Sequence, residues 1–246
     1  MNSYTAFSNI YDSLMKKDLE YEKIADYIEN IFTIHGKNPD MVVELACGTG
    51  NLTIPLSERG YDMIGIDKSG EMLSVAREKM PPNSNILFLN QDMTKLDLYG
   101  TADAFLCMID GINYCLNQNA VYEMIKKIKT CFLNPGGIII FDISSEYKLS
   151  KVIGNNTFIH DEDDVFYSWE NKYHEKTKIS EMYLNFFVKE KGGYQRFFEH
   201  HIQKVYSADT LKAMFLKAGF KKVTLYSDFT FKKPTKKSER IIFVAE

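Results

Sequence analysis

The chain has 246 residues, of which 45% are apolar, so it is long and apolar enough for a globular domain with one insertion and is not a disordered chain. Its 30 Lys and Arg residues against 33 Asp and Glu residues give a net charge of −3, which argues against nucleic acid as a partner. No apolar run is long enough to cross a bilayer and the N-terminus does not resemble a signal peptide, so we expect a cytoplasmic protein with no membrane partner.

The first forty residues predict a helix preceded by an aromatic segment. Four apolar residues repeat at helical spacing and His35-Gly36 follows them; they are Ile24, Tyr27, Ile28 and Ile31. The segment Tyr4–Asp12 has too many aromatic residues for an unstructured tail, so we expect it to fold over another part of the protein. We therefore expect residues 1–36 to form a helical lid.

Five strand candidates then alternate with helical segments as far as Ile143. The first begins at Met41, and the others are Tyr61–Ile66, Asn85–Leu89, Ala102–Met108 and Ile138–Ile143. This alternation is typical of βαβ units and of a parallel, doubly wound sheet. Ligands bind such sheets at the carboxyl ends of the strands, where the strand order reverses.

The pattern changes after the fifth strand. Residues 158–206 are rich in aromatic side chains, with strand candidates at Val165–Trp169 and Met182–Val188 and a hairpin turn at Gly192-Gly193. Two further strand candidates, Lys222–Tyr226 and Ile241–Ala245, close the chain. The predicted fold is therefore α/β, a doubly wound, mostly parallel seven-stranded sheet (residues 1–143 and 207–246) with an inserted antiparallel β subdomain after strand 5 (residues 144–206).

The turn after the first strand, Cys47-Gly48-Thr49-Gly50, is a candidate cofactor loop because glycine lets the backbone approach a ligand. A dinucleotide site requires a third glycine, where this chain has Thr53, and a phosphate-binding P-loop requires a Gly-Lys-Ser/Thr sequence that is absent. S-adenosylmethionine carries a cationic sulfonium and no phosphate. The acid at Glu44 suits that cofactor and would repel a pyrophosphate.

These residues complete a resemblance to a known family. Val42–Gly50 resembles the first motif of the class I S-adenosylmethionine-dependent methyltransferases, although Ala46 stands where that family usually has glycine. Asp67 matches the acid that holds the ribose, Asp92-Met93 resembles the pair that receives the adenine, and Asn134–Gly137 matches the turn before the fifth strand. The resemblance covers about residues 40–143 and 211–246, and it implies a Rossmann-like fold.

The resemblance also implies S-adenosylmethionine as the cofactor and a set of residues that bind it. The implied cofactor-binding residues are Tyr11, Glu44, Ala46, Cys47, Gly48, Gly50, Asp67, Lys68, Met72, Asp92, Met93 and Met108. Tyr11 enters through the segment Phe7–Met15, which looks like the opening of a small-molecule branch that includes sugar-nucleotide and glycine-type N-methyltransferases.

The acceptor side is less specific. The segment Glu199–Tyr206 is similar to the last insertion strand of such enzymes, which makes His201 a candidate base or acceptor-orienting group. Asn113 and Tyr114 follow the fourth strand and should face the acceptor, while Tyr167 and Trp169 are candidates to line its pocket. For each of these side chains the alternative interpretation is ordinary packing or loop hydrogen bonding.

We therefore expect a monomeric or homodimeric enzyme that methylates a nitrogen or oxygen of a small-molecule acceptor by in-line displacement. The four cysteines form no CxxC pair, which favours free thiols and no metal site. Three alternatives stay open. They are a regulatory or chaperone-like protein that binds S-adenosylmethionine without turnover, a tRNA or protein methyltransferase, and a nicotinamide-dependent dehydrogenase.

Overall fold

Two β-sheets organise residues 20–82, 84–162 and 164–246, which are the residues that the computed structural model describes. Tyr11 and the rest of the segment Phe7–Met15 lie outside these ranges, so their predicted role stays a prediction. The strands in these ranges are β1 (Met41–Leu45), β2 (Asp62–Asp67), β3 (Leu87–Asn90), β4 (Ala102–Cys107), β5 (Leu133–Ser144), β6 (Thr157–Glu162), β7 (Val165–His174), β8 (Ile179–Glu190), β9 (Gly193–Lys204), β10 (Val223–Ser227) and β11 (Arg240–Ala245).

The larger sheet has seven strands in the order β10-β11-β5-β4-β1-β2-β3. The pairs among β1 to β5 are parallel, and β11 runs antiparallel to both β5 and β10. The strand order reverses between β1 and β4, so the loops that leave these two strands diverge and open a crevice. The predicted mostly parallel, doubly wound sheet of seven strands is confirmed.

Five helices cover the two faces of this sheet in the described residues. They are α1 (Tyr21–Ile34), α2 (Thr53–Glu58), α3 (Gly70–Glu78), α4 (Gln118–Lys127) and α5 (Ala208–Lys217). Side chains of α1, α2 and α3 pack with Val42 on one face, and side chains of α4 and α5 pack with Val43 on the other. Both faces are thus buried, which explains the continuous apolar runs of the central strands.

Local sequence signals set several helix ends. Ser69 precedes α3 and its hydroxyl accepts a hydrogen bond from the backbone N–H of Met72 at 3.2 Å. Ser207 caps α5 in the same way through Thr210. Pro55 lies in the first turn of α2, where its missing N–H leaves no helical hydrogen bond unmade.

The second sheet has four antiparallel strands in the order β6-β7-β8-β9, and it lies in sequence between β5 and α5. This confirms the predicted antiparallel insertion after strand 5. The hairpin between β8 and β9 turns at Gly192, whose φ of +110° favours glycine. Among the helices of the described ranges, none is long and apolar enough to span a membrane.

Candidate active site

A cavity of about 770 Å³ lies at the carboxyl ends of β1, β2, β3 and β4. It brings together most of the predicted cofactor-binding residues, namely Glu44, Ala46, Cys47, Gly48, Asp67, Lys68, Met72, Asp92, Met93 and Met108. The other wall comes from the turn after β4 and from β9, and it includes Tyr114 and His201. Of helix α1, Tyr21 lines the cavity, and the rest of its apolar stripe packs in the core.

The turn after β1 exposes its backbone to the cavity. Gly48 has a φ of +55°, and no atom lies within 4 Å of the position that a Cβ would take there. Gly50 has a φ of +75°, but its Cβ position lies 3.0 Å from the ring of Phe88, and Gly50 does not line the cavity. Ala46 also has a positive φ, +53°, which is strained for a residue with a side chain. Gly48 is thus the glycine through which the backbone is open to a ligand.

Glu44 is a buried carboxyl at the base of this turn, with 4% of its surface exposed. It accepts a hydrogen bond from the hydroxyl of Thr53, which is fully buried. Burial raises the pKa of Glu44 to about 8, and the charge of Asp67 adds to the shift. Glu44 forms no salt bridge with a side chain in the described ranges, so a cation that enters the cavity can pair with the ionised form of this carboxyl.

Two further carboxylates end β2 and follow β3. Asp67 accepts hydrogen bonds from the backbone N–H of Gly48 at 2.9 Å and of Ser69 at 2.8 Å, which ties the glycine turn to the end of β2. Asp92 accepts from the N–H and hydroxyl of Thr94. Burial opposes the charge on Asp92, but these bonds and nearby Lys68 hold its pKa below the usual value. A cavity lined by Glu44, Asp67 and Asp92 fits a cationic cofactor without phosphates.

The turn after β4 is strained, and the buried side chain of Asp142 binds its backbone. Ile109 and Asp110 have φ values of +57° and +56°, and a β-branched residue such as Ile109 seldom adopts a positive φ. The buried carboxylate of Asp142 accepts both backbone N–H groups, at 3.0 and 2.6 Å. Arg240 donates to Asp142 at 2.7 Å and also pairs with Asp110 at 2.7 Å. The pair of Asp142 and Arg240 therefore fixes the backbone that borders the cavity.

The same cluster reaches the second sheet. The amide of Gln203 on β9 donates to Asp110 at 3.0 Å. Burial raises the pKa of Asp142. Burial also opposes the charge on Asp110, but Arg240, Lys148 and the hydrogen bond from Gln203 together hold the pKa of Asp110 below its usual value. Asp142 lies inside an apolar strand candidate, and sequence reasoning did not select it. The sequence feature that could have identified Asp142 is a single carboxyl within an otherwise apolar strand, because a buried charge needs a partner.

Tyr114 and His201 meet across the two sheets. The Tyr114 hydroxyl lies 3.2 Å from His201 Nδ1, while His201 Nε2 is buried and has no hydrogen-bond partner among the residues described. Burial, together with His200 and Lys68, lowers the pKa of His201, so its imidazole is neutral near pH 7. Glu199 lines the same wall and was not selected from the sequence. The sequence pattern that could have identified Glu199 is the alternation of side chains along β9, which puts Glu199 on the same face as His201.

Asn113, also predicted to face the acceptor, lies behind this wall and does not line the cavity. It is fully buried, and its amide donates to the carbonyls of Ser144 at 3.2 Å and Lys204 at 2.9 Å. It also accepts from the N–H of Ser144 at 2.9 Å. Asn113 thus joins β5 to the end of β9, and its predicted contact with an acceptor stays a prediction.

Tyr167 and Trp169 of β7 also lie away from the cavity lining. Tyr167 packs with Phe186 and Phe197 between the strands of the insertion. Trp169 packs against the cluster of Leu149, Ile153 and Val205. The structure therefore does not bring these two aromatic residues together with Tyr114 and His201, and their predicted acceptor role stays a prediction.

Comparisons with known proteins agree with this geometry. A family model described as "Methyltransferase domain" matches residues 42–137. The Bacillus subtilis protein called "Putative methyltransferase YqeM" is 34% identical over 99% of this chain and 96% of its own length. A crystal structure of an S-adenosylmethionine-dependent methyltransferase from Clostridium acetobutylicum is 33% identical with a TM-score of 0.87, covering 100% of this chain and 99% of that one.

A more distant structure shares the fold alone. The sugar N-methyltransferase KedS8 from Streptoalloteichus is 17% identical with a TM-score of 0.75, and the match covers 96% of this chain and 91% of that one. The identity and full-length coverage of the Bacillus and Clostridium proteins carry the family assignment. The chain belongs to the S-adenosylmethionine-dependent methyltransferases, and S-adenosylmethionine is its cofactor.

Proposed function

We propose that the protein transfers the methyl group of S-adenosylmethionine to a nitrogen or oxygen of a small molecule. The observation that supports this most directly is a cavity of about 770 Å³, which carboxylate-bearing loops line on one side and the Tyr114–His201 pair on the other. Small-molecule sites typically occupy about 300–1,000 Å³. A site of this size suits a cofactor beside a small acceptor better than an RNA or protein surface.

On the cofactor side, the residues that would hold S-adenosylmethionine are Glu44 and the backbone of Gly48 at its charged end and Asp92 with Met93 at its adenine end. When bound, the cofactor supplies a methyl group that its sulfonium activates for in-line displacement. The chain contributes position and exclusion of water, which account for much of the acceleration in such reactions. No further group is needed to polarise the methyl carbon.

On the acceptor side, His201 is the residue that can take a proton. In the tautomer in which Nδ1–H donates to the Tyr114 oxygen, Nε2 carries a free lone pair, and that nitrogen has no other partner in the described structure. The acceptor's lone pair forms the new bond to the methyl carbon as the carbon–sulfur bond breaks. The proton that the acceptor N–H or O–H gives up passes to His201 Nε2 and then to solvent.

The chain's charge and its structural relatives support a small acceptor over a macromolecule. A net charge of −3 gives the chain no overall positive charge to attract the phosphates of RNA. KedS8, whose fold the chain shares, is described as a sugar N-methyltransferase, which is a small-molecule activity.

The test is transfer of labelled methyl from S-adenosylmethionine to a panel of small amines, small alcohols, tRNA and proteins. We expect label in small organic products, and a His201→Phe variant should lose most of this transfer while its cofactor affinity, measured by calorimetry, stays within about twofold of wild type. Label confined to tRNA or protein would overturn the proposed acceptor class. Tight cofactor binding with no product from any acceptor would favour the regulatory alternative.

A further inference from the structure

We propose that Glu199 is a specificity-determining residue that selects acceptors carrying a basic nitrogen; this deepens, and rests on, the methyl transfer proposed above. Glu199 lies on β9 and lines the cavity on the side of Tyr114 and His201. The sequence motifs that identify the cofactor site do not include it.

The face of β9 that carries Glu199 is turned toward the larger sheet. Side chains alternate along a strand, so Phe197, Glu199, His201 and Gln203 share one face. Phe197 is buried in the core of the insertion, His201 contacts Tyr114, and Gln203 donates to Asp110. Glu199 is therefore held in the same wall as His201, about 7 Å along the strand from it.

Glu199 differs from the other carboxylates of the cavity in having no partner among the residues that the structure describes. Asp67 and Asp92 accept hydrogen bonds from the backbone, and Glu44 accepts one from Thr53. Glu199 forms no hydrogen bond or ion pair with any residue in the described ranges, although it is partly buried. Its burial raises its pKa with nothing to offset the cost.

Among the described residues, no Lys or Arg side chain offsets the charge of Glu199. Arg240 is bound by Asp142 and Asp110. Lys68 is the one Lys or Arg side chain that lines the cavity in the described structure, and burial alone, without a nearby cation, accounts for the shift at Glu199. A cationic group on the acceptor is thus the partner that would stabilise the Glu199 carboxylate, whereas an alcohol would leave its charge uncompensated.

Glu199 and His201 together suit an amine that arrives as an ammonium ion. The ammonium pairs with Glu199, and one of its protons moves to His201 Nε2, which leaves a nitrogen lone pair free to form the bond to the methyl carbon. The carbon–sulfur electron pair stays on the sulfur, the product leaves as an N-methylammonium, and the proton on His201 passes to solvent. One proton is released for each methyl transferred.

The test compares an amine with an alcohol of the same shape. Binding of cyclohexylamine and of cyclohexanol to the full chain saturated with S-adenosylhomocysteine is measured by calorimetry for wild type, Glu199→Gln and the control Glu190→Gln, whose carboxyl is exposed at the β8–β9 turn. We expect wild type and Glu190→Gln to bind the amine at least about tenfold more tightly than the alcohol, and Glu199→Gln to lose this preference. S-adenosylhomocysteine affinity should stay within about twofold in all three proteins.

Equal binding of amine and alcohol to wild type, or a preference that Glu199→Gln retains, would overturn the inference. Methylation of alcohols but not of amines in the acceptor panel would also overturn it and would leave the proposed methyl transfer standing. An amine preference that depends on Glu199, together with no methylated product from any acceptor, would support the inference and overturn the proposed transfer.

Discussion

At the scale of single residues, the protonation state of Glu44 should change when a cationic ligand binds, because burial raises the pKa of its carboxyl. Its pKa of about 8 means that the carboxyl is mostly protonated at pH 7 in the cofactor-free protein. An acid with a raised pKa makes the folded state less stable as the pH rises from its unfolded value, near 4.5, through 8. A bound cation favours the ionised form and reverses this effect, so cofactor binding should release a proton and should tighten as the pH rises from 6 to 8.

The variant Glu44→Gln tests this coupling, with the exposed Glu58→Gln at the end of α2 as the matched control. Calorimetry at pH 7 in buffers of different ionisation enthalpy should show release of up to about one proton per S-adenosylmethionine bound in wild type and in the control. Glu44→Gln should release less and should bind the cofactor at least about tenfold more weakly, because a hydrogen bond to a charged group contributes about 1.5–3 kcal/mol. Equal proton release in all three proteins would show that Glu44 stays ionised without the cofactor.

At this scale the sequence predicted the residues whose role depends on a short motif. Glu44, Gly48 and Asp92 each sit at a strand end, where a local pattern is enough to place them on the cavity. Thr53 appeared in the sequence only as a missing glycine, whereas in the structure its hydroxyl supports Glu44. Glu199 lies on β9, more than one hundred residues after Asp92 in the sequence. It reaches the cavity only because β9 packs against the larger sheet, and no local sequence pattern specifies that packing.

Among the elements, β2 has little freedom in side-chain size where it faces the glycine turn. Gly65 pairs with Glu44 of β1, and a Cβ there would lie 2.6 Å from the Phe88 ring and 3.0 Å from Cys47 Sγ. Gly65→Ala should therefore lower the free energy of unfolding by about 1–3 kcal/mol, the usual cost of overpacking. It should also weaken cofactor binding, because Cys47 lies in the turn that lines the cavity.

The control for Gly65→Ala is Gly100→Ala, since no atom lies within 4 Å of the Cβ position at Gly100. Urea unfolding of the two variants and wild type measures the stability change, and calorimetry measures the cofactor affinity. An unfolding midpoint for Gly65→Ala equal to that of the control would contradict the packing argument and would mean that Phe88 moves aside without cost.

The sequence predicted strands well where burial on both faces leaves a continuous apolar run, as in β4 and β5. Strand β6 has no such run and was not predicted. It is an edge strand, and its pairing with β7, rather than its own composition, makes it a strand. Trp169 and Tyr167 were placed on the correct kind of element, and they lie on the sheet face that also carries Glu199, because Trp169 pairs with Leu184 and Leu184 with Glu199. Strand β7 is two strands away from β9, however, so neither aromatic side chain lines the cavity. Alternation along a strand identifies the two faces but does not say how close each strand lies to the site.

In the whole molecule, one buried cluster joins the two sheets. Asp142 belongs to β5, Arg240 begins β11, Asp110 follows β4, and Gln203 lies on β9. Their hydrogen bonds hold the strained turn at Ile109 against the strand that carries Glu199 and His201. The cluster therefore sets the separation between the cofactor side and the acceptor side of the cavity.

Removing the cation of this cluster should destabilise the protein more than removing Arg59, a cation that lies nearer the surface and has more ion-pair partners. Arg240→Met removes the charge partner of the buried Asp142 carboxyl, which must then stay ionised without compensation or take up a proton, and breaking such a pair typically costs about 3–5 kcal/mol of folding stability. Arg59→Met is the control, because Arg59 pairs with the exposed Glu22 and Asp26 and the partly exposed Glu29, and such surface pairs contribute about 1 kcal/mol or less each. Adding Asp142→Asn to Arg240→Met should recover part of the loss, since the amide carries no charge. Urea unfolding of the four proteins measures these differences, and equal losses for Arg240→Met and Arg59→Met would mean that solvent reaches Asp142 and that the cluster does not join the sheets.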